Sequence, residues 1–172
     1  MPDVRAATPD DAEAIARLAA RTFALACPDH TPQAAIEAHI ANELNADRFR
    51  EHMATAAFLV IDAGTEVRGY VMLTTEPPPI PTRWHRPVEL RRIYVDEHEH
   101  GRGVAAALMR ASLDAARDGD HDWIWLGTNE QNKRAIRFYQ KFGFEIVGQR
   151  TFRVADSVES DHVMARPVAA IP

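Results

Sequence analysis

The chain has 172 residues, of which 46% are hydrophobic and 26% charged, with a formal net charge of −5. That size suits a single domain over 1–172 with a core of its own, and the absence of any lysine or arginine block argues against nucleic acid as a partner and mildly favours a cationic one. The one cysteine, Cys27, rules out an intramolecular disulfide and points to a reducing, cytoplasmic setting, while no leader pattern and no apolar run approaching ~18 residues argue against membrane association.

Val4 to Ala6 reads as a short strand. Thr8, Pro9 and Asp11 then form a helix-start signal, with Pro9 at the first helical position and an acid three residues after the threonine. Ile15, Leu18, Ala19 and Phe23 recur at helical spacing, which predicts a helix over 9–24. Thr31 and Pro32 repeat the start signal, and Ile36, Ile40 and Leu44 give a second helix its apolar stripe. Phe49 and Met53, after Asn45, suggest a short third one. The runs 57–62 and 67–75 flank a turn at 63–66 and read as a hairpin.

Residues 77–87 hold five prolines, too many for a helix interior or a central strand, and read as an ordered surface loop. A strand through Leu90, Ile93, Tyr94 and Val95 follows, then a charged loop with Gly101 and Gly103, then an Ala/Leu/Met helix to about Arg117. Trp123 to Gly127 is a short apolar strand of the kind buried on both faces. A helix from about Asn132 to Phe142 ends at Gly143, a position suited to a left-handed cap. Strands over 144–154 and 162–165, with a turn around 155–160, complete an α/β (α+β) pattern around one mixed sheet.

Strand, glycine-rich loop and helix make up an anion-binding device. The first N–H groups of a helix lack internal partners, its dipole is positive there, and glycine lets backbone approach a diphosphate closely. No Lys-Ser or Lys-Thr follows the loop, so it is not a P-loop, and Ala106 stands where a Rossmann fingerprint needs its third glycine. What the loop His98-Glu99-His100-Gly101-Arg102-Gly103 resembles is the (Gln/Arg)-x-x-Gly-x-(Gly/Ala) loop of the GNAT N-acetyltransferase superfamily. Residues 132–144, with Asn132, Ala135, Phe138, Tyr139, Gly143 and Phe144, resemble that superfamily's N-x-x-A-x-x-F-Y-x-x-x-G-F helix at the usual distance. Segments 90–95, 124–127, 132–144 and 148–165 are most similar to the PaiA-type polyamine (spermidine/spermine) N-acetyltransferases of bacteria.

The resemblance implies the GNAT fold: a mixed, mostly antiparallel sheet flanked by helices and splayed between its fourth and fifth strands to admit acetyl-CoA. It assigns the cofactor's pyrophosphate to amides of His100, Gly101, Arg102, Gly103, Val104 and Ala105, and the pantetheine arm to the backbone of Tyr94 and Val95, which it pairs as an added half-strand. Asn132 matches a cofactor-contacting amide, although asparagine also suits an N-cap. The loop departs from the pattern at His98, where Gln or Arg is usual. A neutral histidine supplies less positive charge, so affinity for the cofactor could be lower or pH-dependent.

Acetyl transfer to an amine also needs a base and help for the leaving thiolate. Tyr139 matches the superfamily's general acid; it could equally be a core aromatic beside Phe138 and Phe142. With a phenol near ~10 and a thiol near ~8.5, full proton transfer is uphill by about 2 kcal/mol, so a hydrogen bond to the departing sulfur is sufficient help. An alkylammonium near ~10.4 costs roughly 4–5 kcal/mol to deprotonate at pH 7, and a carboxylate, directly or through water, can take that proton. Glu89, at the start of the key strand, is the best-placed candidate, although a solvated strand-end charge would look the same; Glu76, Glu37 and Asp161 are poorer ones.

No metal is expected, because His98, Glu99 and His100 lack a third His or Cys ligand nearby. Trp84 is read as surface packing, with cation–π binding of an ammonium as its functional alternative. The expected acceptor is a polyamine-like primary amine. The alternatives are an antibiotic, an amino acid or a protein N-terminus, or a non-catalytic CoA-binding role, and a homodimer fits the family.

Overall fold

The computed structural model describes residues 3–27, 29–154 and 157–169, with side chains omitted at 152–154 and 157. Its strands are β1 (Arg5–Ala6), β2 (Ala57–Ala63), β3 (Glu66–Thr74), β4 (Pro87–Val95), β5 (Trp123–Asn129), β6 (Glu145–Val154) and β7 (Ser157–Pro167). The helices are α1 (Ala12–Ala26), α2 (Gln33–Glu43), α3 (Ala46–Met53), α4 (Val104–Asp118) and α5 (Lys133–Lys141). The strands form one seven-stranded sheet in the order β1-β2-β3-β4-β5-β7-β6. The β1–β2, β2–β3, β5–β7 and β6–β7 pairs are antiparallel and β4–β5 is parallel. That parallel pairing runs only from Pro87↔Trp123 to Glu89↔Trp125, and leaves 90–95 and 126–129 outside it. The sheet therefore opens between its fourth and fifth strands, as the resemblance implied.

Two compact units make up the chain, Met1–Leu73 with Arg92–Ser112 and Thr74–Arg91 with Leu113–Pro172. In the first, the apolar stripe of α1 (Ile15, Leu18, Ala19) closes on Leu44, Phe49, Phe58, Val60 and Tyr70. Phe49 meets the Phe58 and Tyr70 rings edge-on at 6.1 and 5.8 Å, and burying such a side chain contributes about 1.5–3 kcal/mol. On β3, Gly69 matters for its missing Cβ. An added methyl would stand 2.8 Å from Leu108 Cδ1, 3.1 Å from Val104 Cγ1 and 3.2 Å from the Tyr94 carbonyl oxygen. The N-terminal half of α4 thus seats directly on β3 backbone.

Several boundaries differ from the sequence reading. Pro9–Asp11 is a separate 3-10 turn ahead of α1, where the Asp11 carboxylate accepts from the Thr8 N–H at 2.7 Å and from Arg5. Pro32 is the N-cap of α2, one place before the first helical position. The third helix starts at an Asn45 cap whose Oδ1 accepts from the Arg48 N–H at 2.9 Å. The turn expected at 155–160 is shorter, because Ser157 to Ser160 already pair with Val154 to Thr151; 155 and 156 lie outside the described residues.

In the second unit, Trp125, Val163 and Ala165 form a core patch covered by Ile80, Trp84 and Trp123. The proline-rich loop is pinned there. Trp84 stacks on Trp123 at 4.8 Å, Trp125 Nε1 donates to the Glu76 carbonyl at 3.3 Å, and the His85 and Arg86 N–H groups donate to the Asp122 carboxylate at 2.7 and 2.9 Å. Burial works against that carboxylate, yet these N–H groups hold it below its ordinary value. Trp84 has the packing role.

Candidate active site

In the first unit, β4 runs out at Val95 and the chain turns through Glu97–Glu99, a 3-10 turn. Asp96 organises this turn: its Oδ1 accepts from the His98 N–H at 3.0 Å, and its Oδ2 pairs with Arg21 Nη2 at 3.0 Å. The His98 N–H, and then Arg21, hold the Asp96 carboxylate below its ordinary value against the opposing effect of burial. The Asp96 N–H donates to the Arg68 carbonyl at 2.8 Å, and the Arg68 guanidinium pairs with Glu99 at 3.4 Å, which ties both ends of the turn to β3. Arg21, Thr22 and Leu25 of α1 face Asp96, Glu97 and His98 across a cavity of ≈ 310 Å³.

The loop's amides divide into two sets. The N–H groups of Glu99, His100 and Arg102 donate to the carbonyls of Asp96, Glu97 and Glu99. In this geometry they are committed to the loop's own turns. The first rung of α4 is the Ala107 N–H on the Gly103 carbonyl, at 2.9 Å. Gly101, Gly103, Val104, Ala105 and Ala106 therefore keep N–H groups with no acceptor among the described residues. Gly101 and Gly103 have φ of +79° and +82°, and a Cβ added to either would meet nothing within 4 Å. The backbone holds left-handed turns before open space, at the positive end of a helix, which fits a diphosphate. Ala106 also carries an unpaired N–H that motif reading did not include; counting from the first helical rung would have found it.

His98 contributes through its backbone. Its side chain is 84% exposed, with Nε2 3.7 Å from Glu97 Oε1. The departure from Gln or Arg thus leaves the helix donors intact. Among the described residues no group of three or more His, Cys, Asp or Glu is arranged to hold a metal ion, and no helix is long and apolar enough to cross a membrane. Cys27 is a half-buried free thiol at the C-cap of α1.

The second unit carries the remaining candidates. Glu89 is buried, at 5% exposure. Thr74 Oγ1 donates to its Oε2 at 2.9 Å and Arg91 Nη1 to the same oxygen at 3.4 Å. A solvated strand-end charge does not describe it. Glu76 is exposed in this unit, as Glu37 is in the first, and Asp161 is engaged by Arg150, whose Nε and Nη2 lie 3.2 and 3.0 Å from its Oδ2. Asn132 caps α5, its Oδ1 accepting from the Ala135 N–H at 3.1 Å.

Tyr139 is half-buried in the last turn of α5. The Gly143 N–H donates to the Gln140 carbonyl at 3.0 Å and the Phe144 N–H to the Tyr139 carbonyl at 3.2 Å, with Gly143 at φ +82°. This is a Schellman termination. Its hydrophobic contact is the Tyr139 ring against Phe144, centroids 6.0 Å apart, and Phe138 packs on the other side at 5.5 Å. The cap and these two rings fix where Tyr139 stands.

A sheet open after its fourth strand, with an amide-rich helix start following that strand, defines an acyl-CoA acyltransferase fold. The family model described as "Acetyltransferase (GNAT) family" matches residues 13–144, and the chain belongs to this family. An uncharacterised N-acetyltransferase of Mycobacterium bovis is 40% identical over 158 residues, which cover 91% of this chain and 97% of that protein. Among solved structures, the PaiA N-acetyltransferase of Thermoplasma acidophilum in complex with coenzyme A has a TM-score of 0.71 at 16% identity, covering 96% of this chain and 98% of that one. YncA of Salmonella typhimurium with acetyl-CoA has a TM-score of 0.68 at 19% identity, covering 98% and 95%. The two structures share the fold with this chain, and the protein is an N-acetyltransferase.

Proposed function

We propose that the protein transfers the acetyl group of acetyl-CoA directly to a primary amine. The observation that carries this reading is the set of unpaired amides at Gly101 and Gly103 to Ala106, which suits a diphosphate, with the Tyr94–Val95 strand leading into it. When bound, acetyl-CoA supplies the activated thioester. The helix-start amides hold its phosphates, and the backbone of Tyr94 and Val95 pairs with the peptide-like arm.

Glu89 then takes the proton from the acceptor's ammonium, directly or through water, so that the nitrogen lone pair is free to attack the carbonyl carbon. Its burial and its Thr74 hydrogen bond support this role over that of a surface charge. Tyr139 O–H donates to the sulfur as the C–S bond breaks, and Asn132 turns its amide to the cofactor while its oxygen caps α5.

For the acceptor, the similarity to PaiA-type enzymes and the net charge of −5 support a polyamine-like amine. Arg92, whose buried Nη1 has no hydrogen-bond partner, favours a second reading, an acceptor of the amino-acid type. Thiol release measured over a panel of amines tests the activity. Tyr139→Phe, which keeps both ring contacts, should lower kcat by about 10²-fold or more with the KM for acetyl-CoA little changed. Full turnover in this variant would remove Tyr139 from the mechanism. CoA binding without thiol release for any amine would reduce the protein to a binding module.

A further inference from the structure

Arg91 and Arg92 are neighbours on β4 and point to opposite faces of the strand. Arg91 reaches the Glu89 carboxylate. Arg92 is half-buried, with its guanidinium carbon 5.7 Å from the centre of the Phe49 ring, and it makes no ion pair among the described residues. Its Nη1 is closed off from solvent and has no hydrogen-bond partner, and the same is true of the hydroxyl of Tyr70. Tyr70 itself is fully buried. That burial pushes its phenol up, the nearby Arg92 charge opposing it only in part, so at neutral pH the hydroxyl is protonated and can donate.

Arg92 lies close enough to Tyr70 for its guanidinium to act as a donor toward the phenol oxygen, yet Arg92 Nη1 and the phenol's own proton are left without an acceptor. A guanidinium has no acceptor atom to offer the phenol's proton. An unpaired, partly desolvated cation and an unpaired buried hydroxyl are both unfavourable unless something else completes them. The completing group must carry negative charge and more than one acceptor oxygen, and must be small enough to enter beside an aromatic ring. A carboxylate meets all three requirements, with a planar pair of oxygens that matches the guanidinium fork.

The patch leads outward along β4. Tyr94, on the same face as Arg92, packs its ring 5.6 Å from Tyr70 and is 37% exposed. Two residues of strand place it about 6.6 Å from Arg92. Tyr94 and Val95 are also the residues whose backbone is assigned to the pantetheine arm. An acceptor whose carboxylate rests on Arg92 would therefore hold an adjacent amine near the path of that arm.

We propose that Arg92 and Tyr70 are the recognition site for a carboxylate on the acceptor, and that the substrate is an amine of the amino-acid type. A polyamine brings only positive charge and donors to this patch, and Arg92 repels it. The inference rests on the acetyl-transfer reading and names its acceptor.

The test is thiol release with full-length protein over matched pairs that differ only in the carboxylate: lysine with cadaverine, and phenylalanine with phenethylamine, alongside spermidine. The carboxylate-bearing member should have the higher kcat/KM by about 10- to 100-fold, the range expected for a charge-assisted hydrogen bond. Arg92→Gln, and separately Tyr70→Phe, should collapse that ratio toward one. Arg92→Lys, which keeps the charge and loses the fork, should recover only part of it. Preference for the amines without carboxylate, or an equal loss on both members of each pair in the variants, would overturn the inference while leaving acetyl transfer intact. No thiol release from any amine, with acetyl-CoA binding retained, would remove the acetyl-transfer reading and the inference with it.

Discussion

Gly103 can be separated from an otherwise similar glycine by a single pair of substitutions. Gly103 has φ +82° and Gly64, in the β2–β3 turn, has φ +68°; an added Cβ meets nothing within 4 Å at either. Alanine at each site therefore carries one cost in common, the left-handed backbone, of about 1–2 kcal/mol. For 172 residues an unfolding entropy near 2.1 cal/mol/K per residue makes 1 kcal/mol equal to about 3 °C, so both variants should melt ~3–6 °C below the wild type.

Only Gly103→Ala adds a methyl group in front of the unpaired amides. If a diphosphate sits there, that variant should also lose one or two charge-assisted hydrogen bonds, each worth about 1.5–3 kcal/mol, which weakens CoA by roughly 10- to 150-fold or more. Calorimetric titration with CoA and a thermal melt on all three proteins would measure both effects. Equal CoA affinity in Gly103→Ala and Gly64→Ala would refute the assignment of this loop to the phosphates, since backbone strain is common to the two.

Glu89→Gln retains an oxygen for the Thr74 hydroxyl and removes the charge. It should lower kcat/KM at pH 7 by about 10²-fold or more if the carboxylate takes the proton, and a variant with wild-type turnover would pass that role to water or another group. Asp11 is held at about 2, below the 3.8 of a free aspartate, first by Arg5 and also by the Thr8 N–H. Its folded value is the lower one, so its stabilisation is fully present above about pH 4 and is lost as pH falls toward 2. Asp11→Asn should therefore lower Tm at pH 7 and narrow its gap to the wild type as pH drops from 4 to 2. Because Arg5 is 45% exposed, solvent screening limits the pH 7 effect to about 1 kcal/mol. A gap that stays constant with pH would place the effect outside the Arg5 pair.

Much of the scaffold could be read from local pattern, because local physics decides it. The apolar runs of β2 and β3 around their turn, the stripe of α1 and the glycine that ends α5 are written within a few residues of where they act. The loop glycines could be read for the same reason. Glu89 could not. As a sequence it is a charge at a strand end; its burial and its hydrogen bond from Thr74, fifteen positions away on another strand, appear only in the folded chain. The division of the loop's amides was likewise hidden, since it follows from the Asp96 turn and its anchors on Arg68. Arg92 and Tyr70 looked like one more strand cation and one more core aromatic. Only packing shows that neither has an acceptor.

Gly69 is a residue no ligand-contact survey would select, for it lies on β3 and presents no side chain. Yet the height at which α4 rests on that strand fixes the level of every amide at the helix start, and the missing Cβ sets that height. Val104, whose N–H is among those donors, stands 3.1 Å from where the methyl would be. The position of those amides is accordingly adjustable from beneath the helix, through the thickness of the layer that supports it, without altering any atom of the loop, and if they hold the cofactor its affinity would follow.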